Sequence, residues 1–84
     1  MIHRENVERY GGTLPELAND LGDLRYDAVV VFLEALAAKL EEDAAADTAR
    51  GRPKLAAALR GGASGAMAAA AQIKVAWSIS APHM

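Results

Sequence analysis

The sequence predicts an all-α fold, an antiparallel two-helix hairpin that dimerises into a four-helix bundle. Three observations lead there. From Thr13 to about Ala49 the chain is dominated by Leu, Ala, Glu and Lys, all strong helix formers, and an alanine-rich stretch follows it. Apolar residues recur at three- and four-residue steps, the period of a helix face. Charge is also partitioned. All eleven acidic residues lie between Glu5 and Asp47, so residues 1–49 carry four basic and eleven acidic groups, net −7. Residues 50–84 carry five basic groups and no acidic one, net +5, and the whole chain is −2. Such halves either neutralise each other on folding or offer a basic surface to an anionic partner.

Each element has its own signals. Gly11-Gly12 separates a charged arm, residues 1–12, from a hairpin domain, residues 13–84. Thr13-Leu14-Pro15-Glu16 reads as a helix start. Thr13 can accept from the Glu16 amide while the Glu16 side chain reaches back to the Thr13 amide, a capping box. Proline fits the first turn, where its missing N–H has no acceptor to lose. A helix is expected over about 14–49, with Gly22 as its weak point. If a short helix splits off there, Asp23 is placed to cap the longer one. Arg50-Gly51-Arg52-Pro53 is the turn, with Gly51 at the position after the helix end and Pro53 opening the next helix. The second helix is expected over about 54–80, closed by Pro82.

The two helices are built from different materials. On the first, Leu17, Leu21, Leu24, Ala28, Val31 and Ala35 form one stripe. Val29, Leu33, Leu36 and Leu40 form another beside it, with Phe32 between. The joint arc of roughly 200° is about twice the stripe that one neighbour covers. The second helix offers Leu55, Leu59, Gly62, Ala66, Ala70, Ile73 and Trp77. A short turn sets Ala66–Ile73 beside Val30–Ala37, bulky against small. That register brings Arg60 near Glu42, Asp43 and Asp47, Lys74 near Asp27, and Trp77 near Leu24 and Tyr26. The uncovered stripe calls for a second copy, and Leu17, Leu21, Leu24, Val31 and Phe32 are the expected dimer or partner interface.

Composition narrows the class. Eighty-four residues allow one domain, and the chain has no cysteine to staple it. Met1–Tyr10 is charged, with no apolar run behind a basic start, so no signal peptide is expected. The longest clean apolar run, Gly61–Ala71, falls short of the ~20 residues of a bilayer span. A soluble cytoplasmic protein without membrane contact is the expectation.

Several short signals carry potential chemistry. Arg50-Gly51-Arg52-Pro53-Lys54 resembles the core of the AT-hook, which lies extended in the minor groove of A·T-rich DNA. The resemblance implies Arg50 and Arg52 as groove readers, with Lys54 beside them. AT-hooks sit in basic tails, whereas this element follows Glu41, Glu42, Asp43 and Asp47, whose field repels phosphate. An interhelical turn accounts for it more simply, so nucleic acid is not the expected partner. Gly61-Gly62-Ala63-Ser64-Gly65 lacks the following Gly-Lys-Ser/Thr of a phosphate loop and reads as close packing or a break in the helix. His3 and His83 lie near opposite chain ends, which a hairpin can bring together beside Glu5 or Glu8, but no His-x₃-His or Glu-x-x-His spacing supports a metal. No cysteine or mid-chain histidine supplies a nucleophile–base pair.

Tyr10, Thr13-Leu14-Pro15-Glu16-Leu17, Leu24-Arg25-Tyr26-Asp27 and Ala76-Trp77 together resemble small uncharacterised helical proteins of cyanobacterial genomes. The resemblance implies no activity, cofactor or site. The expectation is therefore a non-enzymatic homodimeric adaptor or scaffold without cofactor. DNA binding through the Arg50–Lys54 loop is the alternative, and a small enzyme or metal-binding protein the second.

Overall fold

Thr13 starts the first helix through the reciprocal bonds its sequence allows. In the computed structural model, which describes residues 3–83, Thr13 is extended and its Oγ1 accepts from the Glu16 amide at 3.2 Å. Glu16 Oε1 in turn accepts from the Thr13 amide at 3.0 Å. Helix α1 spans Leu14–Gly22, with Pro15 in its first turn. The single helix expected over 14–49 is in fact two, because Gly22 ends α1 and helix α2 spans Tyr26–Ala49. Asp23 does not cap α2. It is the C-cap of α1, its amide donating to the carbonyls of Asn19 and Leu21. Arg25 occupies the N-cap of α2 without a side-chain bond. Asp27 holds that turn instead, accepting from the Arg25 guanidinium at 2.7 and 3.1 Å and from the Ala28 amide at 3.0 Å. A carboxylate in a first turn also complements the helix dipole.

The second turn follows the sequence. Gly51 has φ +74°, the left-handed conformation that only glycine adopts freely. The Gly51 amide donates to the Thr48 carbonyl at 3.0 Å and the Arg52 amide to the Asp47 carbonyl at 2.8 Å. Those two bonds make a Schellman motif, which satisfies the last carbonyls of α2. Helix α3 then spans Pro53–Ser80, unbroken through Gly61–Gly65, and a 3₁₀ turn covers Ala81–His83.

Helices α2 and α3 pack against each other in antiparallel sense. The buried apolar residues are Val30, Ala37 and Ala44 on α2, and Ala56, Ala63 and Ala70 on α3. Both series step by seven, the 3.5-residue repeat of a coiled-coil seam. Alanine at five of the six positions lets the backbones approach closely, as small residues do at helix interfaces generally.

The seam takes Ala70 from the expected α3 row and otherwise lies off the expected stripes. Val31, Ala35 and Leu24 are exposed, as are Leu55 and Gly62 of the expected α3 row. Cross-helix partners shift accordingly. Lys74 Nζ meets Glu34 Oε2 at 3.3 Å, not Asp27. Arg60 lies 3.9 Å from Glu41 and 3.4 Å from Thr48 Oγ1, not beside Glu42, Asp43 or Asp47. Trp77 lies under Arg25. At 100° per residue, Glu34, Glu41 and Thr48 flank one side of the seam while Asp43 and Asp47 flank the other. Arg60 and Lys74 project to the first side.

Candidate interaction surface

The α2–α3 pair is two-sided. One side carries the cross-helix polar contacts, with Glu34, Glu41 and Thr48 facing Arg60 and Lys74. On the other, Phe32, Leu36 and Leu40 follow at four-residue steps along α2 and share a flank. Leu55, Leu59 and Gly62 flank α3 on that same side. A Cβ on Gly62 would stand 3.7 Å from Leu40 Cδ1, so the two flanks meet there. Phe32 is 40% exposed and Leu36 39%, so both present ring and branched methyls to solvent.

No side chain larger than valine is buried among the described residues. An alanine methyl contributes only roughly 0.8 kcal/mol on burial. A chain that is 52% hydrophobic therefore holds its large apolar groups outside a seam of small ones. The accessible surface is 6261 Å², whereas a folded monomer of 8.8 kDa exposes about 4,800 Å². The radius of gyration is 15.1 Å, against about 12 Å for a compact chain of this length.

The expected interface residues are spread over this surface. Leu17 and Leu21 are half-buried on α1, which contributes no buried residue. Leu24 is exposed in the α1–α2 turn. Val31, at 66% exposure, is successive to Phe32 and points about 100° away from it, so the two do not share a face. The stripes that hydropathy picks out omit Val30, Ala37 and Ala44, and the expected place of Asp47 beside Arg60 gives no sign of its burial. The seven-residue spacing of small residues was the signal for the alanines.

At the turn, Asp47 Oδ1 receives Arg50 at 3.5 Å and Arg52 at 3.7 Å. His3, Asp43, Leu55 and Leu59 complete a cavity of about 370 Å³ around them. Lys39 donates to Asp43 at 2.6 Å, and this bond raises the lysine pKa above its ordinary value. Arg50-Gly51-Arg52 is thus a closed turn whose guanidiniums share one carboxylate oxygen, whereas a minor-groove element lies extended. Lys54 is exposed in the first turn of α3. His3 stands at the start of α3 and His83 beyond its end, roughly 40 Å apart along a helix of this length. Among the described residues no group of three or more His, Asp or Glu is placed to hold a metal ion. The hydroxyls of Ser78 and Ser80 donate to the Val75 and Trp77 carbonyls at 2.8 and 3.4 Å. Among the described residues no helix is long and apolar enough to cross a membrane. No protein-family model, curated protein or solved structure matches the chain.

Proposed function

We propose that this chain is a non-enzymatic helical interaction protein that acts as a homodimer, an adaptor or scaffold presenting helix faces to its partners. The observation that supports this reading is the location of the apolar mass. Every leucine, phenylalanine and isoleucine among the described residues lies outside the buried seam, and the surface exceeds that of a compact monomer by about 1,500 Å². A standard association buries roughly 800 Å² on each partner, or about 1,600 Å² in total. Helix-face recognition of this kind uses apolar anchors with a charged rim, and the Lys39–Asp43 and Arg50–Asp47 pairs, on the apolar side of the seam, supply such a rim. Sedimentation equilibrium tests the reading. The expected mass is twice the 8.8 kDa of the chain, and a clean monomer at micromolar concentration would sink it.

A further inference from the structure

We infer that the apolar side of the α2–α3 pair is covered by a second copy of this chain, laid so that α2 of each copy rests on α3 of the other. This rests on the proposed self-association and specifies its surface and its geometry.

Three observations favour that occupant. The first is area: each chain exposes about 1,500 Å² beyond a compact monomer, enough to supply the roughly 800 Å² that a standard association buries on each partner. The second is shape. Phe32, Leu36 and Leu40 form a bulky middle on α2, while Gly62, Ala66 and Ala69 form a small middle on α3 at the same level of the pair. Laying α2 on the partner's α3 seats each bulky row on a small one, whereas α2 on α2 opposes bulk to bulk and leaves the α3 rows apart. The third is charge. Between Tyr26 and Ala49, α2 carries six acidic groups and one lysine, a net −5. Between Pro53 and Ser80, α3 carries Lys54, Arg60 and Lys74 and no acid, a net +3. Arg60 and Lys74 are paired within the chain on the opposite side, so what the apolar side sees is Asp43 and Asp47 of α2 and no acid of α3. Stacking α2 on α2 sets like charges together, and crossing α2 over α3 does not.

The chain has no cysteine, so introduced thiols report contacts without background. Leu36→Cys and Ala69→Cys variants are made separately, shown to sediment as reduced dimers, then mixed and oxidised. A disulfide requires Cα atoms within about 7 Å. The expected result is a linked species in the mixture that is absent from either variant alone. Linkage of Leu36→Cys to itself would place α2 on α2 and overturn the arrangement. So would self-linkage of an Ala68→Cys variant, which would place the contact on the outer edge of α3. A dimer whose mixed pair stays unlinked also overturns it while leaving self-association standing. A monomer by sedimentation removes both.

Discussion

The guanidinium of Arg25 lies over the indole of Trp77, 5.0 Å from the ring centroid. The contact fastens the α1–α2 turn to the far end of α3, across most of the sequence. Asp27 holds the same guanidinium at 2.7 Å, so the cation is aimed before it meets the ring. A cation–π pair at an exposed site contributes ~0.5–1 kcal/mol. Arg25→Ala is expected to lower stability by about that amount and to shift the emission of Trp77, the only tryptophan. Unchanged emission and unchanged denaturation would show that the stacking has no role in solution.

Ala70 sits in the seam at 1% exposure, whereas Ala45 is solvated on α2. Ala70→Leu forces three extra carbons between close backbones, an overpacking expected to cost ~1–3 kcal/mol. Ala45→Leu is expected to be nearly neutral. Chemical denaturation of the two variants decides the matter, and equal small effects would mean that the seam is not tightly packed.

The seam also shows how far the sequence could be read. The capping box at Thr13, the proline starts and the left-handed Gly51 were legible because each depends on local chemistry. The break at Gly22 is visible as a weak point, but its cap is not, since Asp27 rather than Asp23 accepts from a first-turn amide of α2, that of Ala28. Packing was legible only in outline. Hydropathy ranks leucine above alanine, so the stripes it picks out on α2 are rows rich in leucine and valine that omit Ala37 and Ala44. Close helix approach reverses that order, because the narrowest contact admits only the smallest side chain. Lys74 was correctly given an acidic partner on the neighbouring helix, yet the partner is Glu34 because the pair meets about two turns of helix further along.

Gly51 and Gly65 respond oppositely to alanine. At Gly51, φ +74° places an added Cβ against backbone, expected to cost ~1–2 kcal/mol. At Gly65, inside α3, an added Cβ meets nothing within 4 Å. There the substitution removes glycine's entropy cost and is expected to stabilise by about 0.5–1 kcal/mol. Thermal unfolding of both variants checks the signs. Destabilisation by Gly65→Ala would mean that its surface is occupied in solution.

The Lys74–Glu34 bridge tests the charge partition. Both side chains are largely exposed, 59% and 39%, so the pair contributes only ~0.5 kcal/mol. Lys74→Glu is expected to destabilise by about 1 kcal/mol at low salt, less as salt screens the repulsion. Pairing it with Glu34→Lys is expected to restore part of the loss in a double-mutant cycle. Absence of coupling would remove the bridge from any role in setting the register.

The capping box predicts the pH response of α1. Glu16 is held below the ordinary glutamate range, first by the hydrogen bond from the Thr13 amide and then by its bond with the Thr13 side chain. A depressed folded value means that the carboxylate form favours the helix. Its contribution is complete above the unfolded glutamate value and disappears as pH falls through the folded one. Tyr10 has the opposite sign. Its hydroxyl donates to Asp20, which raises its pKa, so the neutral phenol favours the fold. That contribution is present below the ordinary tyrosine value and lost as pH rises through the folded one. The segment from Tyr10 to Gly22 is therefore expected to be most ordered between these limits and to fray at both. Amide shifts of Thr13 and Glu16 followed by NMR report the acid limb. Glu16→Gln retains an acceptor for the Thr13 amide and is expected to abolish that limb alone. Thr13→Ala is expected to fray α1 at every pH. An acid limb that persists in Glu16→Gln would assign the transition to another carboxylate.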